Sequence, residues 1–241
     1  MNRHLLARAL GRLVEPLAIW LYPHHCPGCG EPADPKQIFC DLCMDSIHPI
    51  TAPLCPTCFL PYPSGESHPC AWCIKTPPPF ERAVALFEYG GAVAQAIRRL
   101  KYGANLEAAR PMGRLMAGHL AALNPDLVTP MPLDRRRLAT RGFNQSMELA
   151  RLACAEAGRP APKILLHRTR SMPPQASLTL AQRRQIPDSL FAVSRPRAVE
   201  GRKVLLIDDV ITTTSTARAA SKALVRAGAS VQVLALARTP L

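Results

Sequence analysis

A chain of 241 residues and 26.2 kDa, 48% hydrophobic, can bury a core in one large or two modest domains, which excludes a disordered polymer. Its 25 prolines outnumber its 13 glycines without any Gly-x-y period, which excludes a collagen-like array. Thirty Lys and Arg against seventeen Asp and Glu give a net charge of +13 and an isoelectric point near 9.8, directing attention to polyanionic partners: phosphates, nucleic acid or an anionic membrane surface.

Residues 5–21 are apolar but are interrupted by Arg8, Arg12, Glu15 and Pro16, which is wrong for a signal-peptide core. No run approaches the roughly 18 apolar residues of a membrane span, so a cytoplasmic protein is expected. Leu6, Leu10, Leu13, Leu17 and Leu21 share one helical face, and residues 1–22 are read as an amphipathic helix docked on its own protein rather than on a membrane surface.

Four Cys-x2-Cys knuckles follow: Cys26 and Cys29, Cys40 and Cys43, Cys55 and Cys58, Cys70 and Cys73. Two thiolates two residues apart on a tight turn face one cation, and four complete the tetrahedron that Zn²⁺ prefers, so eight ligands make two structural zinc sites. A disulfide framework is the alternative, and the missing secretory signal disfavours it. Pairing the first knuckle with the second and the third with the fourth gives two similar ribbons, and crossed pairing stays open. His24, His25 and His68 lie nearby but are surplus to a complete cysteine set. Few Leu, Ile or Val separate Cys26 from Cys73, so residues 23–76 need metal to fold. Pro77-Pro78-Pro79 makes a stiff connector, and residues 77–241 form the second domain.

Charge divides at the same place. The first 80 residues hold five basic and six acidic side chains, a net −1, while the remainder holds 25 and 11, a net +14. Within this basic part, residues 83–89 read as a strand, and Val93, Ile97 and Leu100 as a helix. Met112, Leu115, Met116 and Leu120 mark another helix. Residues 127–130 form a short strand, 147–157 a helix closed by Gly158, and 164–167 a strand. Cys154 reads as a small buried apolar residue on that helix. Residues 204–207 and 231–237 are continuous apolar runs around a helix over 216–227, a buried strand–helix–strand unit that implies a parallel sheet.

Ligands of such sheets bind at the carboxyl ends of the strands. There the sequence runs Asp208-Asp209-Val210-Ile211-Thr212-Thr213-Thr214-Ser215-Thr216. Paired carboxylates accept sugar hydroxyls or bind Mg²⁺, and hydroxyls with free N–H groups at a helix start hold phosphate. The pair also suits a Walker B element, but no Gly-x4-Gly-Lys-Ser/Thr string occurs. Arg135-Arg136-Arg137, in the turn after a strand, is better suited to anion contact than to a solvated face.

The segment 204–216 resembles the phosphoribosyl-pyrophosphate (PRPP) motif of type I phosphoribosyltransferases, and the chain from the first knuckle to Arg238 is similar to the ComF family. Tyr89, Leu100-Lys101-Tyr102, Pro130-Met131-Pro132-Leu133, Arg136-Arg137, Arg168-Thr169-Arg170 with Gln175, and above all Arg141-Gly142-Phe143-Asn144-Gln145-Ser146 carry that likeness. The resemblance implies an α/β fold: a type I phosphoribosyltransferase-like parallel sheet flanked by helices, preceded by a small cysteine-rich double zinc ribbon. It further implies that Asp208 and Asp209 hold the ribose hydroxyls and that Thr212, Thr213, Thr214, Ser215 and Thr216 cradle the 5′-phosphate. Arg136, Arg137 and Arg141 would face pyrophosphate. Arg168 and Arg170 begin a mobile loop, where they would stabilise the leaving group as catalytic partners of the acidic pair. Thr214 replaces the motif's Gly, and a β-branched residue disfavours positive φ, which predicts either weaker phosphate binding or another backbone path there. Ile186 stands where ComF chains usually have Asn.

Two functions follow from the likeness. The first is natural competence: handling of single-stranded DNA on the dense basic stretch 128–184, with zinc ribbons docking a helicase-like uptake protein. The second is Mg²⁺-dependent phosphoribosyl transfer from PRPP to a small nitrogenous substrate.

Overall fold

The computed structural model describes residues 24–103, 109–170 and 186–240. The amphipathic segment 1–22 and the stretch containing Gln175 lie outside the described residues.

Four strands form one parallel sheet in the order β1-β6-β5-β2: β1 Arg82–Glu88, β2 Leu127–Pro130, β5 Lys203–Ile211 and β6 Ser230–Arg238. Alternation along β5 explains why it is central. Leu205 and Ile207 point into one core with Val84, Leu86, Val128, Leu234 and Leu236; Val204 and Leu206 point into another with Ala83, Val233 and Ala235. Both faces must therefore be covered.

The first face is covered by α3 Gly91–Tyr102, α4 Ala109–Leu123 and α6 Gln145–Glu156, whose Ile97, Leu100, Met112, Met116, Leu120, Leu149 and Cys154 are wholly buried. The second is covered by α7 Ser215–Arg226, with Ala220 and Leu224, and by a two-stranded antiparallel sheet of β3 Leu166–Arg168 and β4 Phe191–Val193. Ile186 packs partly buried against this second core.

Three sequence expectations are revised. The strand expected over 164–167 is shorter and pairs outside the main sheet, while residues 163–165 run beside β2, Lys163 N–H donating to Val128 O at 2.8 Å. The run of arginines after β2 opens a short helix, α5 Arg135–Arg141, rather than a turn, because Asp134 caps it by accepting the Arg136 N–H at 3.0 Å. Strand β5 continues through the acidic pair to Ile211, since Asp208 to Ile211 keep pairing with β6.

The cysteine-rich region lies along the free edge of β1. Ile50 N–H donates to Leu86 O (2.9 Å), Glu88 N–H to His48 O (2.8 Å) and Ala83 N–H to Thr57 O (2.8 Å). Its Cys26, Phe39 and Cys43 join the first core. Gly91 sits at φ +45° with a Cβ position only 2.2 Å from Ser46 O, so no larger residue fits this junction. Gly91→Ala is expected to lower stability by about 2 kcal/mol or more in thermal unfolding, from left-handed strain plus the clash. Gly118→Ala, on an open face of α4, is expected to gain about 0.5–1 kcal/mol.

Candidate functional site

Parallel strands end together, and here their ends open into one cleft. Pro130 pairs with Ile207, so the chain leaves β2 beside the acidic pair; Tyr89 N–H donates to Arg238 O (2.7 Å) and Met131 N–H to Ile207 O (2.8 Å). The cleft measures about 790 Å³ and is lined on one side by Tyr89, Lys101 and Tyr102 and on the other by Thr212, Thr214, Ser215 and Thr216. Arg136, Arg137, Arg141 and Arg168 complete a cationic rim around Asp208 and Asp209.

The string Arg141 to Ser146 is built to hold that pair. Gly142, at φ +82°, ends α5 in the left-handed conformation that glycine tolerates. Asn144 then caps α6, accepting the Ser146 N–H (3.0 Å) and donating to Met131 O (3.0 Å). That cap aims the next two side chains: Gln145 Nε2 donates to Asp209 Oδ1 (3.0 Å) and Ser146 Oγ to Asp208 Oδ1 (3.1 Å). Lys101, from α3, makes an ion pair with Asp209 Oδ2. Arg141 donates to Gln145 Oε1 and lies 5.5 Å over the Tyr102 ring.

These partners separate the two carboxyls electrostatically. Burial, then the charge of Asp209, pushes Asp208 up to about 7. Burial also acts to raise Asp209, but the Lys101 charge and the hydrogen bonds from Lys101 and Gln145 outweigh it and hold this carboxyl below its ordinary value. Lys101, partly buried, is held protonated by the same pair. Burial lowers Arg168, whose Nε donates to Pro132 O at 3.0 Å and whose guanidinium lies 5.3 Å over Phe191.

Of the residues singled out by sequence, the structure gathers Asp208, Asp209, Arg136, Arg137, Arg141, Arg168, Thr212, Thr214, Ser215 and Thr216 around the cleft. Thr213 does not line it; its hydroxyl pairs with Ser215 Oγ at 2.9 Å inside the loop. Arg170 follows β3 on the exposed surface, outside the lining. Lys101, Gln145 and Ser146 were missed as partners of the acidic pair; the Gln-Ser dipeptide directly after a capping Asn was the available signal. The different backbone path expected at Thr214 is overturned: the residue adopts φ +64°, the left-handed geometry a glycine would supply. The strain, about 1–3 kcal/mol, is offset by a hydrogen bond from Arg218 Nε to Thr214 Oγ1 at 3.0 Å.

The eight knuckle cysteines form two separate clusters, Cys26/Cys29/Cys40/Cys43 and Cys55/Cys58/Cys70/Cys73, each with all sulfurs within 4.8 Å of one another. This resolves the pairing in favour of sequential knuckles. Cys29 and Cys40 sulfurs, like those of Cys58 and Cys70, stand 3.7 Å apart. That is close to the edge of about 3.8 Å of a tetrahedron with Zn–S near 2.3 Å, and far from a disulfide at about 2.05 Å. The clusters repeat one design. Cys26 N–H donates to Glu31 O as Cys55 N–H does to Leu60 O, and Cys40 and Cys70 each donate an N–H to the first sulfur of their own cluster, Cys26 or Cys55. Short helices α1 Asp41–Met44 and α2 Ala71–Lys75 carry the closing cysteines. His68 stacks on Tyr62 (ring centroids 4.4 Å apart), and His24 contacts Gln37 O, so neither belongs to a cluster. Zinc fits both sites.

A parallel sheet with paired carboxylates and a hydroxyl-rich turn at its carboxyl edge, joined to two tetracysteine sites, defines an α/β cleft protein with a zinc-binding region. Residues 17–74 match the double zinc ribbon domain family. The DNA utilization protein YhgH of Escherichia coli O157:H7 is 35% identical over 77% of this chain and 84% of its own. Competence protein F of Haemophilus influenzae is 28% identical over 89% and 95%, and Competence protein ComFC of Bacillus subtilis 24% over 83% and 82%. A solved structure of the allosteric regulatory enzyme of purine biosynthesis overlays with a TM-score of 0.36 and 25% identity, over 53% of this chain and 25% of that one. The chain belongs to the ComF family. No helix among the described residues is long and apolar enough to cross a membrane.

Elemental analysis of the purified protein should return two zinc ions per chain, falling to one when Cys26 and Cys29 are both changed to Ser. The titration of Asp208 gives a second expectation. With a folded value of about 7 against 3.8 unfolded, its stabilising proton uptake is present at low pH and is lost as pH rises through about 7. Asp208→Asn keeps the acceptor for Ser146 and stays neutral. Its melting temperature should therefore rise relative to wild type between about pH 5 and pH 8; a flat difference contradicts the assignment.

Proposed function

We propose that this protein acts in natural competence, in DNA uptake or utilization, through a cleft that binds PRPP or a sugar-phosphate strand resembling it. The observation that carries this reading is the pairing of Asp208 and Asp209 with four arginines and a phosphate-type loop in one cleft. The names of the relatives, DNA utilization protein and competence protein, support the biological setting.

In this reading Asp208 and Asp209 accept the ribose 2′ and 3′ hydroxyls, and Lys101 and Gln145 keep Asp209 ionised and oriented for that purpose. Backbone N–H groups over 212–216, with the hydroxyls of the cleft-lining Thr212, Thr214, Ser215 and Thr216, receive the 5′-phosphate at the start of α7. Arg136, Arg137 and Arg141 meet the pyrophosphate, and Arg168 borders it from the β3 side. Mg²⁺ bound together with PRPP supplies further neutralisation of pyrophosphate charge.

The excess of basic side chains over 128–184 supports binding of single-stranded DNA. Exposed Leu42, Met44 and Ile74 on the knuckle helices suit a docking protein of the uptake machinery, such as a helicase. A second reading, Mg²⁺-dependent phosphoribosyl transfer to a nitrogen nucleophile, is favoured by the retention of both carboxylates.

Calorimetry with PRPP and Mg²⁺ should register binding by the intact protein and none by Asp208→Ala with Asp209→Ala. Single-stranded DNA should bind with affinity falling steeply with salt, about 0.7 log units per log unit of salt for each phosphate contacted, and should be displaced by PRPP. Absence of both ligands at low salt overturns the proposal. Pyrophosphate release on adding a nitrogenous acceptor selects the enzymatic reading.

A further inference from the structure

Two arginines of the basic domain turn away from the cleft toward sulfur. Arg238, at the end of β6 and only 2% exposed, directs Nη2 at Cys58 Sγ, 3.7 Å away. Its Nε and Nη1 are buried with no hydrogen-bond partner. A buried guanidinium without a counter-charge is strongly disfavoured, so an anion must stand opposite it. Four thiolates around Zn²⁺ carry a net charge of −2, and the second cluster provides that anion.

Arg218, in the first turn of α7, is the second cation on this cluster, and it binds in three directions at once. Nη2 donates to Cys73 Sγ (3.7 Å), Nη1 to Thr76 O, and Nε to Thr214 Oγ1 (3.0 Å), while the guanidinium lies 5.2 Å over the Trp72 ring. Two positive charges thus balance the second tetrathiolate. The first cluster differs: the arginine beside it, Arg99, donates to the backbone carbonyls of Gly28 and Cys29, not to sulfur.

Thr214 is the point at which this matters. It holds a strained left-handed conformation in the turn ahead of α7, and the hydrogen bond offsetting that strain comes from Arg218. Arg218 thus links a sulfur of the second cluster to Thr214, the residue that opens α7.

We propose that Arg218 is a positioning residue of the phosphate loop, held in place by the second zinc cluster, so that zinc occupancy of that cluster sets the loop's affinity for anions. This rests on the reading of the loop as a phosphate site. The coupling is reciprocal by thermodynamic necessity, so an anion in the loop retains zinc in the second cluster and not in the first. Thr214 in place of glycine is what makes the loop depend on the bracket, since glycine has no left-handed strain for a hydrogen bond to offset.

The test uses the full zinc-loaded chain with two readouts: affinity for PRPP with Mg²⁺ and for inorganic pyrophosphate by calorimetry, and zinc release to a chromophoric chelator. Arg218→Gln should weaken both anions about tenfold, the size of one lost charge-assisted contact, and should speed release of one of the two zinc ions while leaving the other unchanged. Adding Thr214→Gly to Arg218→Gln should restore anion affinity without restoring zinc retention, a separation that general destabilisation does not produce. Arg99→Gln should leave anion affinity as in wild type. In wild type, PRPP should slow release of the more firmly coupled zinc. Unchanged zinc release in Arg218→Gln, or failure of Thr214→Gly to rescue, overturns the bracket while wild type still binds both anions. Wild-type protein that binds neither anion overturns instead the proposed function and the loop half of this inference, and zinc release in Arg218→Gln then decides the arginine–thiolate half alone.

Discussion

Two adjacent carboxylates at the end of a buried parallel strand are costly to desolvate, and much of the architecture around the cleft offsets that cost. Lys101 arrives from α3, Gln145 and Ser146 from the first turn of α6, and the position of α6 is fixed by the reach of Asn144 to Met131 beyond β2. Two helices covering one face of the sheet are thereby tied to one dipeptide. The two carboxyls are also driven apart in character, one held ionised by its lysine and the other carrying its proton to near neutrality. One cleft therefore presents a charged acceptor and a titrating group side by side.

Much of this was legible in the sequence because its physics is local. Cysteines two residues apart report a metal site without knowledge of the fold, and apolar runs such as 204–207 report burial on both faces. The acidic pair followed by hydroxyls was visible as a strand end with a phosphate turn. Partners brought in by tertiary structure were harder to read. Lys101 lies 108 positions before Asp209, and nothing in its helical surroundings marks it as a counter-ion. The contact of Arg218 with Cys73 spans 145 positions and depends on how the ribbons pack. Local preference also misled at Thr214, where intrinsic dislike of positive φ is overridden by a side-chain hydrogen bond four residues away.

The charge of the chain is likewise redistributed by folding. A net +14 beyond residue 80 suggests a broad surface for polyanions. In the folded protein, Arg218 and Arg238 face thiolates and Lys101 faces Asp209, so three of those cations are already committed internally. What remains toward solvent at the cleft is a compact rim of Arg136, Arg137, Arg141 and Arg168.

The placement of the cysteine-rich region along β1 has a consequence for the protein outside its site. A parallel sheet of four strands has two open edges, and an uncovered edge of buried-type strand pairs readily with a neighbouring chain. Residues 48–57 occupy the hydrogen-bonding groups of β1 at Ala83, Leu86 and Glu88. The cysteine-rich region thus covers that edge of the sheet. A chain starved of zinc during synthesis would present that edge to its neighbours, and self-association would compete with folding before any ligand was met.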